Sequence, residues 1–236
     1  MSEPYLLLWL EAPLQSWGHD SKFGRRDSLD FPTKSGVLGL LCCALGAGGE
    51  QREWLHQLSE FDMQVGAFVR LDHREQAATR LPLLRDFHMV GSGYDDQDPW
   101  ANFLIPKTSE GKKAVGGGSK MTYRYYLQDM AFAVALQGPI NELDKVAEAL
   151  KNPVWDLYLG RKNCVPTEFI FQGIHGSAES AFKAASQLAL VKKRSEIYRV
   201  LQGEHEGEVL TLNDVPLQFG SNKQYRDRRV TVQKVE

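Results

Sequence analysis

The feature that most constrains the fold of this chain is a repeated order of patterned segments: strand, helix, strand. Residues 5–10 form a continuous apolar run, which is typical of a strand buried on both faces. Residues 35–46 then place apolar side chains at helical spacing, and glycines follow them. Residues 63–72 alternate with a period of two, which predicts the second strand. These segments form the first half of the expected domain.

The same order returns in the second half. Residues 131–136 alternate large and small apolar side chains, which indicates a strand. We expect Asn141 to cap the next helix, which extends to residue 150, and residues 168–174 to form the last strand. Two strand–helix–strand units predict the split βαβ arrangement of the ferredoxin-like fold, which is also the scaffold of the RNA-recognition motif. A fold alone does not identify a function.

Between the two halves lies an insertion of different composition. Residues 73–129 are polar and broken by glycines, and we interpret them as two arms of a protruding hairpin, or thumb. The run Gly116–Ser119 would make its tip mobile, and residues 12–35 read as a long polar loop. We therefore predict an α+β protein. Its ferredoxin-like (RRM-like) palm spans residues 1–175, with the thumb inserted at 73–129, and residues 176–236 form a small β-rich C-terminal extension packed on the palm.

Composition and motifs exclude several classes of protein. The 28 basic and 30 acidic residues of this 236-residue chain leave a net charge of −2, so any nucleic-acid site must be a local patch. Three cysteines, two of them adjacent, predict free thiols, and no histidines have metal-ligand spacing. We expect no metal, no cofactor and no catalytic residues. The absence of a signal peptide or a long apolar run predicts a cytoplasmic protein without a membrane segment.

Several polar clusters are candidate nucleic-acid contacts, and each also has a purely structural interpretation. Lys34, Ser35 and Gly36 open a helix and could offer charge and amides to phosphate, or simply cap the helix. A glycine turn is followed by Arg161, Lys162 and Asn163. These side chains could bind a phosphate and a base edge, or they could simply form a solvated turn.

Aromatic and basic residues elsewhere give two further candidates. Residues 85–88 and 123–126 face each other if the thumb is a hairpin, where arginines and aromatics could stack unpaired bases or pack across the strands. Residues 221–234 contain five basic residues and one acidic residue. This excess of positive charge indicates either a basic patch that binds nucleic acid or the charged edge strand of a sheet.

At this point the segments resemble one family in the same order along the chain. The stretches that carry the resemblance to the CasD subunits of type I-E CRISPR Cascade are Trp9–Gly18, Phe31–Leu41, Leu84–His88, Tyr158–Cys164 and Tyr225–Arg229. The match covers nearly the whole chain, although the hairpin tip at residues 94–120 is longer than expected. The resemblance implies a repeat-associated (RAMP) protein with a ferredoxin-like palm and an inserted thumb.

What the resemblance implies about function is specific. It suggests a non-catalytic subunit that holds the 5′ handle of the CRISPR RNA in antiviral defence. Its expected partners are that RNA, the CasC backbone subunit, the CasA large subunit and, indirectly through the complex, target DNA. We expect the handle to lie between the helix near Ser35 and the Gly160 turn. The candidate RNA-binding residues are Trp17, Lys34, Ser35, Gly36, Arg85, His88, Arg124, Tyr125, Arg161, Lys162 and Asn163.

Two other functions compete with this interpretation. A sister subtype's homologue cuts the precursor RNA, so the chain could be a metal-independent endoribonuclease in which His88, Tyr125 or a lysine performs acid–base chemistry. It could also be a scaffold that binds only proteins. A labelled repeat RNA separates the three possibilities, because they predict retention, cleavage or neither.

Overall fold

The computed structural model describes residues 3–19, 21, 24–90, 97, 100, 107–108, 110–112 and 120–235. In chain order its elements are β1 (Tyr5–Glu11), β2 (Leu14–Gln15), β3 (Arg25–Arg26), α1 (Lys34–Leu45), α2 (Arg52–Ser59), β4 (Met63–Arg70), β5 (Leu84–Val90), β6 (Lys120–Gln128), β7 (Ala131–Gln137), α3 (Ile140–Lys151), β8 (Phe171–His175), α4 (Ala178–Val191), β9 (Arg194–Gln202), β10 (Glu208–Gln218) and β11 (Gln224–Lys234).

One antiparallel sheet of seven strands organises the molecule. Its strand order is β10-β11-β9-β4-β7-β1-β8. The segment β4-β7-β1-β8, crossed by α1 and α3, has the strand order of a ferredoxin-like fold, and this confirms the predicted fold class. The last palm strand lies beside the first, with Leu6 opposite Ile174. Strand β9 pairs with β4, so the C-terminal strands continue the palm sheet. The domain boundary at residue 175 stays a prediction.

Both faces of the sheet are covered, which explains the continuous apolar run in β1. Leu6, Leu8 and Leu10 pack on the face that carries α1 and α3. Leu7 and Trp9 point to the opposite face, where α4 packs. Successive strand residues alternate between faces, so a strand covered on both sides has apolar side chains throughout. No helix in the described residues is long and apolar enough to cross a membrane, and the three cysteines are free thiols, as predicted.

Helix α1 ends at its C-cap Gly46, the first of the glycines that follow it in the sequence, whereas the N-cap of α3 differs from the prediction. Thr33 is the N-cap of α1, and its hydroxyl accepts a hydrogen bond from the Gly36 amide at 3.1 Å. The prediction that Asn141 caps α3 is wrong. Pro139 occupies the N-cap position, and its carbonyl accepts from the Leu143 amide at 3.0 Å. The φ of −59° that the proline ring imposes suits the start of a helix, so Asn141 falls within the first turn.

The thumb base is a hairpin, as predicted. Strand β5 pairs antiparallel with β6, with Arg85 opposite Tyr125 and Phe87 opposite Tyr123. Strand β6 also pairs with β2 and β3, so the loop at residues 12–35 contains two short strands that the sequence did not predict. The predicted mobile run Gly116–Ser119 lies outside the described residues, as does most of the hairpin tip at 94–120.

Candidate nucleic-acid interface

Three grooves meet at the segment between α3 and β8. The helix groove has a volume of about 500 Å³ and is lined by residues that include Ser35, Gly36, Trp155, Tyr158, Gly160, Lys223 and Tyr225. The thumb groove has a volume of about 490 Å³ and is lined by Asp86, His88, Arg124, Tyr126, Tyr158, Gly160, Arg161, Lys162 and Asn163. The lateral groove has a volume of about 910 Å³ and is lined by Cys43, Val154, Trp155, Asp156, Leu157, Tyr158, Lys162 and Val165.

The thumb groove collects five of the eleven candidate residues. They come from separate parts of the chain: β5, β6 and the turn before β8 contribute His88, Arg124, Arg161, Lys162 and Asn163. The histidine Nδ1 lies 3.5 Å from a carboxylate oxygen of Asp86 in the same groove. No group of three or more His, Cys, Asp or Glu side chains in the described parts of the chain could hold a metal ion. The groove therefore presents basic and amide groups suited to phosphates and base edges.

The Gly160 turn is pressed tightly against the loop that follows β1. Gly160 has a φ of +88°, and a Cβ atom there would lie 1.6 Å from the carbonyl oxygen of Ser16. The Ser16 amide donates to the Leu159 carbonyl at 3.2 Å, and the Ser16 hydroxyl donates to the Tyr125 carbonyl at 3.1 Å. Only glycine allows this approach, so the turn holds the thumb base and the palm in a fixed relation.

Arg161 strengthens the same junction. Its guanidinium donates to the Tyr125 carbonyl at 3.1 Å and to the Arg26 carbonyl at 2.7 Å. It also lies 4.6 Å from the ring centroid of Tyr126, whose hydroxyl accepts from the Asn163 amide at 3.2 Å. A guanidinium has five N–H donors, so Arg161 fastens β3 and β6 to the turn and still lines the thumb groove.

Two thumb candidates lie on the other face of the hairpin. Arg85 and Tyr125 are opposite one another, but alternation places them on the face away from His88 and Arg124. The guanidinium carbon of Arg85 lies 5.6 Å from the centroid of the Tyr123 ring, and that of Arg25 lies 5.0 Å from the centroid of the Tyr125 ring. The structure therefore does not bring Arg85 and Tyr125 into the thumb groove with the other candidates.

Lys34 is fully buried, which contradicts its prediction as a surface ligand for phosphate. Its ammonium donates to the carbonyl of Phe61 and, at 3.4 Å, to the side-chain oxygen of Gln202. Burial, together with the nearby positive charge of Arg228, lowers the pKa of Lys34 to about 7. A lysine is normally kept at the surface by its charge, so the burial of Lys34 could not be predicted from its residue type.

The N-terminus of α1 already has an anion from within the chain. The Lys34 amide donates to the Asp214 carboxylate at 2.7 Å. Arg228 forms two hydrogen bonds with that carboxylate, at 2.7 and 2.9 Å, and both side chains are buried. The Gly36 amide is bound by Thr33. The amides predicted to meet phosphate at Lys34 and Gly36 are therefore occupied, and Ser35 remains half-buried in the helix groove.

Trp17 and Gly36 form a structural pair. Trp17 is 1% exposed, and its indole N–H donates to the side-chain oxygen of Gln15 at 3.2 Å. A Cβ atom on Gly36 would lie 2.8 Å from the Trp17 ring. Glycine at this position therefore makes room for a buried indole, and burial contradicts the prediction of Trp17 as an RNA-binding residue.

The C-terminal basic patch is largely neutralised by ion pairs. Arg226 pairs with Glu60 at 2.7 Å, Arg229 pairs with Glu204, and Arg228 pairs with Asp214. Lys223, which lines the helix groove, is the member of this patch that extends the interface. The excess of charge in the sequence therefore overstates the charge available to a nucleic acid.

Sequence reasoning missed two aromatic residues of the interface. Tyr158 lines all three grooves, and Trp155 lines the helix and lateral grooves with 48% of its surface exposed. Tyr158 is part of a stretch that carried the family resemblance, which is the signal that could have identified it. Trp155 lies in a segment without periodicity, so its exposure could not be deduced from the sequence.

Comparison with known proteins identifies the family. A family model described as CRISPR-associated protein (Cas_Cas5) matches residues 5–231. The chain belongs to this Cas5 family. The Cas5 chain is 34% identical over 178 residues to the CRISPR system Cascade subunit CasD of Escherichia coli (strain K12), covering 72% of this chain and 70% of CasD. The resemblance to CasD subunits is thereby confirmed.

Solved structures are similar to this Cas5 chain over almost its whole length. A chain of a CRISPR RNA-guided surveillance complex superposes with a TM-score of 0.70 at 29% identity, covering 98% of this chain and 90% of that chain. A crystal structure of a Cas protein gives a TM-score of 0.61 at 26% identity, with 98% and 94% coverage. The similarity therefore extends over both the palm and the C-terminal strands described above.

Proposed function

We propose that this Cas5-family chain is a non-catalytic RNA-binding subunit of a type I-E Cascade complex and holds the 5′ handle of the CRISPR RNA. The observation that carries the proposal is the thumb groove, where Arg124, Lys162 and Asn163 converge from the thumb and the palm. The similarity to a Cascade subunit supports the same conclusion. Lys162 and Arg124 suit phosphates, whereas the Asn163 amide suits a base edge.

The geometry also supports a path for the RNA across the palm. The thumb groove and the helix groove share Tyr158 and Gly160. A strand bound at Lys162 would pass over the Gly160 turn and reach Ser35 and Lys223 in the helix groove. This path replaces the predicted contact at Lys34, whose ammonium is buried.

The proposed partners follow from the family. Besides the CRISPR RNA, they are the CasC backbone subunit and the CasA large subunit, with target DNA contacted through the complex. The similarity to a chain of an RNA-guided surveillance complex supports a role in such an assembly. Action in the cytoplasm, in antiviral defence, is part of the same proposal.

Binding of a labelled CRISPR repeat RNA to the purified full-length chain tests the proposal. We expect retention without cleavage, and weaker binding to a length-matched scrambled RNA. Lys162→Ala and Arg124→Ala should each flatten the slope of log affinity against log salt by about 0.7, the value for one phosphate contact in a single strand. Asn163→Ala should cost about 1–3 kcal/mol at one handle base, on the scale of base contacts in DNA.

Lys183→Ala is the matched control, because Lys183 is exposed on α4, on the opposite side of the sheet. This variant should bind with wild-type affinity and salt dependence. Wild-type behaviour in the three groove variants would show that the thumb groove is not the binding site.

The endoribonuclease alternative has one observation in its favour. Asp86 lies 3.5 Å from His88 in the thumb groove, an arrangement that can orient an imidazole for acid–base chemistry. Cleavage of the repeat RNA by the isolated chain, lost in His88→Ala, would replace the non-catalytic proposal. If the chain neither retains nor cleaves the repeat RNA, this result would favour a scaffold that binds only proteins.

A further inference from the structure

We propose that Trp155 is a base-stacking residue, on which an unpaired base of the bound RNA lies. The inference rests on the proposed function, because it adds a contact for the same RNA. It concerns a position that no periodicity in the sequence singles out, and it depends on three structural observations: exposure, anchoring and location.

Trp155 combines an exposed ring with a fixed backbone. The side chain is 48% exposed, although tryptophan is highly buried on average. The residue before it is anchored to the end of α1: the Val154 amide donates to the Ala44 carbonyl at 2.9 Å, and Val154 packs against Gly46. The residue after it is anchored by the Cys43 thiol, 3.5 Å from the Asp156 carbonyl. Because the backbone is held on both sides of Trp155, a ligand that stacks on the ring does not have to order this segment of the chain.

The location of Trp155 connects it with the proposed RNA path. Its side chain lines both the helix groove and the lateral groove. Tyr158, three residues further along the chain, lines these two grooves and the thumb groove. A strand that leaves the thumb groove therefore meets the Tyr158 ring and then the Trp155 ring.

The charges around Trp155 favour a polyanion over a protein segment. Lys162 lines the lateral groove and Lys223 lines the helix groove, so a cation lies in each groove that the indole borders. Asp156 offsets the charge of Lys162 in the lateral groove, whereas the lining of the helix groove contains Lys223 and, among the residues that the structure describes, no acidic residue. Aromatic platforms beside basic side chains are the composition by which proteins bind single-stranded nucleic acids.

RNA binding by the full-length chain provides the test, with 2-aminopurine placed at each handle position in turn. We expect fluorescence quenching at one or two positions, and loss of this quenching in Trp155→Ala. Affinity should fall about 5- to 150-fold in Trp155→Ala, which corresponds to about 1–3 kcal/mol for one stacked base at about 1.4 kcal/mol per tenfold. Trp155→Phe should keep most of the affinity, whereas Trp155→Leu should behave as Trp155→Ala, because an aliphatic side chain lacks an aromatic face.

Salt dependence separates stacking from charge. Trp155→Ala should leave the slope of log affinity against log salt unchanged, whereas Lys162→Ala should flatten it. Phe169→Ala is the matched control, since Phe169 is 88% exposed and lines none of the three grooves. That variant should bind RNA with wild-type affinity.

The remaining outcomes overturn the inference. Wild-type affinity and quenching in Trp155→Ala would exclude stacking on this ring while leaving the proposed function intact. Normal RNA binding by Trp155→Ala together with failed assembly into Cascade would assign the residue to a protein contact. Absence of RNA binding by the wild-type chain would overturn the proposed function, and this inference with it.

Discussion

At the scale of single residues, the junction of thumb and palm depends on a missing side chain. Gly160 combines a left-handed backbone with contact against the Ser16 carbonyl, and the neighbouring Arg161 bonds to β3 and β6. The interface is therefore positioned by a glycine that contributes no functional group of its own.

Gly160→Ala should lower the free energy of unfolding by about 2–6 kcal/mol. A side chain at this φ costs about 1–3 kcal/mol, and forcing it against a backbone carbonyl adds about 1–3 kcal/mol. Gly39→Ala is the control, because a Cβ atom there meets nothing within 4 Å and the helix interior favours alanine. Denaturant unfolding of both variants measures the difference. Equal stability of the two variants would contradict the constraint at Gly160.

The sequence located some residues of the interface and could not locate others. Lys162 and Asn163 follow a glycine turn, a local signal that a single sequence contains. The burial of Lys34 depends on Phe61 and Gln202, which are distant in the chain, and nothing local to Lys34 indicates a carbonyl that would accept from its ammonium. Charge in a sequence therefore predicts exposure only where no distant partner compensates for burial.

At the scale of elements, the thumb hairpin is anchored at one end. Near the palm, β6 pairs with β2 and β3 and is bound by Ser16 and Arg161. Toward its start, at residues 120–122, β6 pairs with β5 alone among the residues that the structure describes, and the exposed side chains near this end include Phe87, Met89 and Met121. Few buried contacts support this end of the hairpin, so its hydrogen bonds should open more easily.

We also predict that the thumb, a polar insertion broken by glycines, becomes ordered on assembly, and hydrogen exchange tests both points. Amides of residues 88–90 and 120–122 should exchange faster in the free chain than those of β7, which is buried on both faces. Assembly into Cascade should slow their exchange at least about tenfold, an increase in local opening free energy of about 1.4 kcal/mol. Exchange in β7 should change little. Equal, strong protection of the thumb in both states would rule out ordering on assembly.

The elements that the sequence predicted well are those with strong periodicity. Strand β4 and helix α1 follow the alternating and helical patterns closely, and the apolar run of β1 correctly indicated burial on both faces. Strands β2 and β3 are two residues long and exist only because β6 lies beside them. A pairing of such short segments has no period, so only the tertiary structure reveals it.

At the scale of the whole molecule, a buried charge cluster joins the palm helix to the C-terminal strands. Lys34 opens α1, Gln202 ends β9, Asp214 lies on β10, and Arg228 lies on β11. Removing one partner of such a cluster leaves an uncompensated charge, which is strongly destabilising. The cluster therefore makes the stability of α1 depend on strands that follow it much later in the chain.

The low pKa of Lys34, about 7, makes stability depend on pH. Above pH 7 the folded chain has released this proton, whereas the unfolded lysine keeps it up to about pH 10. Stability should therefore rise with pH between about 7 and 10, by at most about 1.4 kcal/mol per pH unit. Cys42 opposes this trend above about pH 9, because burial raises its pKa to about 12. The measured quantity is therefore the difference between wild type and Lys34→Met.

Unfolding free energies at several pH values between 6 and 9 check this prediction. The wild-type chain should gain stability relative to Lys34→Met as pH rises through this window. Lys183→Met is the control, because Lys183 is exposed, and its profile should be parallel to that of the wild type. Parallel profiles for Lys34→Met and wild type would contradict the lowered pKa of Lys34.

The contact between Lys34 and Asp214 has a consequence for the order of events during protein synthesis. The two residues are 180 positions apart. At about 5–20 residues per second, a ribosome needs about 9–36 s to add the intervening residues. Throughout that interval the nascent helix begins with an unbound amide and a lysine without its final neighbours. The palm of this chain therefore completes its folding only after Asp214 has been made, although its first helix leaves the ribosome long before that residue.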